Sequence, residues 1–116
     1  MTRRKQQITY ADTMPAAAHE ALRQLGRNIA AARLRRRWRQ VDLATRAGIT
    51  RATVIAIEHG RAGTGAGAYV AVLWALGLHD DVARLAAPEH DVEGATLEAA
   101  RLGTRARPPA TLDDEF

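Results

Sequence analysis

The chain has 116 residues, 26% charged and 47% hydrophobic, with a net charge of +4 and no cysteine. That length suits one compact domain with tails and a modest core. The missing cysteines exclude disulfides and thiolate metal sites, and no apolar run approaches the roughly 20 residues that a membrane span needs.

In chain order, residues 1–14 read as a flexible arm in which Gln6 to Tyr10 forms a strand only if it finds a partner. Arg3, Arg4 and Lys5 are followed by no apolar signal core, so a cytoplasmic, nucleoid-associated location is expected. Pro15 suits the first turn of a helix, and Leu22, Leu25, Ile29 and Ala32 mark its buried face as far as Arg37. Leu34 lies off that stripe. A second helix starts near Gln40 with Leu43, Ala44 and Ala47 inward, and Gly48 stops it. Thr50 caps a third helix, Ile49 staples onto it, and Val54 and Ile57 face inward until Gly60 ends it. Residues 61–67 form a glycine-rich loop. A fourth helix runs from about Ala68 to Leu76, closed by Gly77. Asp80 and Asp81 open a short fifth helix that Pro88 ends. A further helical stretch is expected around Ala95 to Leu102, and Pro108 and Pro109 mark a disordered tail. The expected fold class is all-α, a compact five-helix bundle. Its organisation is an arm (1–14), a helical domain (15–87) and an acidic, Pro-containing extension (88–116).

Charge is unevenly spread along this plan. Residues 1–19 carry +2, residues 20–61 carry +7, residues 62–79 carry none and residues 80–116 carry −5. A basic front half favours a polyanion, and an acidic back half does not. Of the 17 basic residues 16 are arginine, a side chain whose fork suits phosphate.

The segment of highest positive charge contains the most specific pattern, RQVDLATRAGITRATVIAIEHG at residues 39–60. Two short helices joined by a glycine turn cross steeply and expose the second. Its first turn then fits a major groove about 12 Å wide. Gln40, Leu43, Ala44, Gly48, Ile49, Thr50, Val54, Ile57, Glu58 and Gly60 stand at the spacing of one known pattern. In these residues the chain resembles the helix-turn-helix of the Xre/Cro family of phage and bacterial repressors, over roughly residues 22 to 78. The resemblance implies a lambda-repressor-like fold, double-stranded DNA as ligand and repression of transcription. It implies that Gln40 bonds a phosphate and that Arg33 pairs with Glu58 to tie the first helix to the third. Thr50, Arg51, Ala52 and Thr53 open the exposed helix. Arg51 either forks onto guanine or holds a phosphate, and Thr53 either holds phosphate or touches a base. Ala52 and Ile55 meet a thymine methyl or pack on sugar, and Arg61 clamps a phosphate. The chain departs from the family at three places. Arg37 stands where glycine is usual, and Arg39, which either caps poorly or reaches DNA, stands where Ser or Thr caps. Ile55 and Ala56 stand where polar residues are common, which shifts weight towards readout of DNA shape.

The fourth helix is apolar on every side. By the same resemblance Tyr69, Val72, Ala75 and Leu76 face inward, leaving Val70, Trp74 and Leu78 as an exposed stripe suited to a homodimer interface. Residues 69–78 with the acidic stretch behind them also resemble antitoxins of the HipB branch, which pair with HipA-type kinases. The alternative expectation is therefore an antitoxin that neutralises a toxin partner and represses its operon. A helix-turn-helix used only for protein docking sits poorly with the basic segment. His19, His59, His79 and His90 lack metal spacing, the Gly63–Gly67 run lacks the Lys-Ser or Lys-Thr of a phosphate loop, and no nucleophile–base pair emerges. No enzymatic activity, metal or cofactor is expected.

Overall fold

Helical periodicity sets the architecture of residues 10–103, the part that the computed structural model describes. In order come α1 (Tyr10–Thr13), α2 (Ala16–Arg35), α3 (Gln40–Ala47), α4 (Arg51–Glu58), α5 (Ala66–Ala75), α6 (His79–Val82), a 3-10 turn (Pro88–His90) and α7 (Val92–Gly103). The fold is all-α, with no strand among the described residues. The described residues up to Val82 form one compact unit and those from Ala83 onward a second.

The first unit is built on one core. Ile29 and Ala32 come from α2, Leu43 and Ala44 from α3, Val54 and Ile57 from α4, and Tyr69, Val72 and Leu76 from α5 and its cap. Ile29, Leu43, Val54, Ile57 and Val72 are the largest fully buried side chains. Each contributes about 1.5–3 kcal/mol by leaving water. Helix α3 packs on both α4 and α5, and α2 packs on α4. The α2–α4 contact is close because Gly26, in the middle of α2, faces backbone. A Cβ built on it would lie 2.5 Å from the Ile57 carbonyl oxygen and 2.7 Å from that of Glu58.

Four helices end in the same way. In each, two crossed backbone hydrogen bonds satisfy the last carbonyls, and the residue between them turns left-handed. The pairs are Arg37 N to Leu34 O (2.9 Å) with Trp38 N to Arg33 O (3.3 Å), and Gly48 N to Thr45 O (3.3 Å) with Ile49 N to Ala44 O (3.0 Å). Gly60 and Gly77 close α4 and α5 likewise. Glycine takes three of these positions at φ 68–79°, but at the end of α2 Arg37 takes φ 57°. A side chain in that conformation costs roughly 1–2 kcal/mol.

The structure shifts several elements from their expected places. Tyr10 is helical rather than extended, and residues 1–9 and 104–116, with the first nine residues of the arm and with Pro108 and Pro109, lie outside the described residues. Helix α5 begins at Ala66, because Gly65 supplies an extended cap. Gly67 falls in the first turn, where the backbone N–H groups lack helical partners anyway. The glycine-rich connection is thus Arg61–Gly65, and the Tyr69 hydroxyl donates to Arg61 O across it at 3.2 Å. The fifth expected helix stops at Val82, and Pro88 opens the 3-10 turn instead of ending a helix. Its missing N–H suits a first helical position. Asp91 then caps α7, its Oδ1 accepting from Gly94 N at 2.9 Å. Leu34, which lies off the helical stripe, is 61% exposed.

Candidate nucleic-acid interface

Helices α3 and α4, joined by the left-handed turn at Gly48, carry the residues singled out by the sequence. Thr50 caps α4, its Oγ1 accepting from Thr53 N at 3.2 Å, and the two threonine hydroxyls share a hydrogen bond of 2.9 Å. Arg51 and Ala52 are exposed at the first turn, Ile55 is half-buried one turn later, and Arg61 is exposed just past the helix. The open ends of α3 and α4 border one depression, lined by Arg33, Arg39, Gln40, Val41 and Arg51.

Behind that depression lies an ion-pair hub. Arg33 Nε donates to Glu58 Oε2 at 2.6 Å and Nη2 donates to Oε1 at 3.0 Å, with the two side chains 11% and 7% exposed. Arg33 Nη1 also donates to Trp38 O at 2.8 Å, so one guanidinium joins α2, the α2–α3 turn and the end of α4. Gln40 Nε2 completes the hub on Glu58 Oε1 at 3.1 Å. The Gln40 side chain is therefore turned to Glu58, and its backbone remains at the N-terminus of α3.

Arg39 sits at the cap of α3 and cannot accept a hydrogen bond there, since a guanidinium carries no acceptor. The local solution runs the other way. Asp42 Oδ2 accepts from the Arg39 backbone N–H at 2.7 Å and from Nε at 3.3 Å. The Arg39 guanidinium beside it holds the Asp42 carboxyl below its ordinary range, helped by the backbone bond. In the same way Arg27, and after it Arg23, hold the Glu20 carboxyl below its ordinary range.

The arginines of residues 20–61 thus divide by occupation. Glu20 takes Arg23 and Arg27, Glu58 takes Arg33, and Asp42 takes Arg39. Arg36 bonds two carbonyls, Ala32 O at 2.7 Å and Leu76 O at 2.9 Å. The Arg46 guanidinium lies over the Trp38 ring, 4.1 Å from its centroid, a cation–π contact. Among the described residues Arg35, Arg37, Arg51 and Arg61 are left with no side-chain partner. The spacing Arg39-x-x-Asp42 was a visible sign of the half capping box. The roles of Arg36, Arg46 and Trp38 had no such sign, because their partners lie across turns or on another helix.

On α5 the inward residues are Tyr69, Val72 and Leu76, while Trp74 is 60% and Val70 39% exposed. Leu78 is half-buried against the core instead of standing in the open stripe. Burial raises the Tyr69 hydroxyl's pKa. Among the described residues no helix is long and apolar enough to cross a membrane.

The protein-family model described as "Helix-turn-helix domain" matches residues 24–86, just over half of the chain. Neither a search of curated proteins nor one of solved structures returns a match.

Proposed function

The chain belongs to the helix-turn-helix domain family and carries a DNA-binding module. On that premise we propose that it is a sequence-specific, Xre/Cro-type regulator that binds double-stranded DNA as a homodimer and represses its own operon. The observation that carries this reading is the set of unpartnered arginines. Arg35, Arg37, Arg51 and Arg61 hold four charges in reserve in a segment of net +7. In this reading α4 enters the major groove with Arg51, Ala52 and Ile55 toward base edges. Thr50, Thr53, Arg61 and the backbone N–H of Gln40 meet phosphates, and Arg39 exchanges Asp42 for a phosphate. The module binds rather than catalyses, needs no cofactor and works in the cytoplasm at the nucleoid.

A mobility-shift series in rising salt tests it. Each phosphate neutralised contributes about −0.9 to the slope of log affinity against log salt. Arg61→Ala is expected to flatten that slope by about 1, the share of a single phosphate, on any duplex. A salt-independent affinity, or no affinity, overturns the proposal.

The dimer is placed on α5, where Trp74 and Val70 stand exposed on a helix that is apolar all round. Two-fold dimers present readers to half-sites about one helical turn apart. Trp74→Glu is expected to give a folded monomer by light scattering, with operator binding weakened well over tenfold. A full dimer for that variant moves the interface elsewhere.

The same exposed tryptophan favours a second reading, an antitoxin whose α5 face holds a toxin, a HipA-type kinase by the HipB-like resemblance. A kinase-like reading frame beside this gene, and a complex between the two products, are what that reading requires.

A further inference from the structure

Helix α4 exposes very little chemistry. Its polar side chains are Arg51, Thr53 and Glu58. Glu58 is consumed by Arg33 and Gln40, and Thr53 shares its hydroxyl with Thr50. Just beyond the helix, His59 Nδ1 is engaged with Ile55 O at 2.8 Å. One polar side chain of α4, Arg51, therefore has no partner among the described residues. Further along the open face of α4 the side chains are hydrocarbon. Ala52 is exposed beside it, and Ile55 stands half-exposed at i+4 from Arg51 and i+3 from Ala52. Residues at those separations are neighbours on a helix, with Cβ atoms about 5–6 Å apart.

A major groove offers few groups that such a surface can bind. The fork of an arginine matches guanine O6 and N7, and the apolar group on a base edge is the C5-methyl of thymine. Base pairs rise about 3.4 Å per step, so an arginine and a hydrocarbon patch one helical turn apart span neighbouring pairs. Resting on the DNA-binding reading above, we infer that α4 recognises a guanine beside a C5-methylated pyrimidine, with Arg51 on the guanine and Ala52 and Ile55 on the methyl. The methyl is what the patch meets, so 5-methylcytosine serves in place of thymine, whereas uracil and unmodified cytosine do not.

The test uses the full chain and duplexes with a randomised 20-base-pair centre, enriched by repeated binding. The enriched duplex is resynthesised with each thymine singly replaced by deoxyuridine. At one thymine beside a guanine the replacement is expected to weaken binding about fourfold, the effect of one methyl group at about 0.8 kcal/mol. With cytosine placed there, C5 methylation is expected to restore about the same factor. Ile55→Ala or the exposed-site variant Ala52→Ser brings the thymine-to-uracil ratio towards one, and Arg51→Ala removes the preference for the neighbouring guanine. A ratio of one at every thymine overturns the inference. So does a ratio that neither α4 variant changes, or an enriched sequence with no thymine beside a guanine. In all three the chain still binds DNA and the broader reading stands. If no duplex binds at all, the broader reading falls and this inference with it.

Discussion

Replacing Arg33 by alanine is expected to remove about 3 kcal/mol of folding stability, the lower end of the roughly 3–5 kcal/mol that breaking a buried ion pair costs. The pair qualifies as buried, at 11% and 7% exposure, and it is bidentate. Its loss strands the Glu58 carboxylate and the Trp38 carbonyl together. The lower end applies because Gln40 Nε2 still donates to Glu58. Small domains are stable by only about 5–15 kcal/mol in all, so the urea midpoint should fall steeply with an unchanged slope. Pairing Arg33→Met with Glu58→Leu should recover most of the loss, since no charge is then left buried. An unchanged midpoint for Arg33→Ala, together with abolished DNA binding, puts Arg33 on the DNA rather than in the fold.

Gly26→Ala is expected to be nearly as damaging although it adds a single methyl. The Cβ would meet two backbone carbonyl oxygens of α4, at 2.5 and 2.7 Å. Neither can rotate away as a side chain would. Alanine gains about 1 kcal/mol in helix propensity over glycine, while overpacking costs typically about 1–3 kcal/mol and sometimes more. With backbone as the obstacle the upper end applies, leaving a net loss of about 2 kcal/mol. Thermal or urea unfolding decides the sign, and a variant more stable than the parent means that α2 and α4 are not in close contact at Gly26.

The core was legible because its periodicity is strong. Ile29, Leu43, Val54 and Ile57 fall inside, where spacing on their own helices put them, and Val72 and Leu76 fall inside as the family resemblance implied. The turn at Gly48 and the cap at Thr50 were legible from residue type alone. Gly26 was not, since a lone glycine in a helix signals only a propensity cost until its neighbour is known. Helix α5 began earlier than expected because Gly65 and Gly67 suggested a loop, yet the first turn of a helix tolerates both. At the candidate interface, exposure of Arg51 followed from its place in the first turn of α4 and that of Arg61 from its place just past the helix. Which arginines stay unpartnered did not, because residues 20–61 hold ten arginines and three carboxylates. Which arginine each carboxylate takes is a question of distance in space. The half-burial of Leu78 is of the same kind, set by the core beneath it rather than by its place in the stripe.

Arg36 has a bearing on how long the molecule survives. Its guanidinium fastens a carbonyl in the last turn of α2 to the carbonyl that caps α5, 40 residues beyond Arg36 itself. Peeling either helix away from that end first has to break this link. Sixteen arginines and one lysine make the chain dense in trypsin sites, and those inside α2 are expected to become substrates only when that helix opens. Cleavage inside α2 is therefore expected to track the opening equilibrium of that helix, and Arg36→Ala to speed it before it alters the fold.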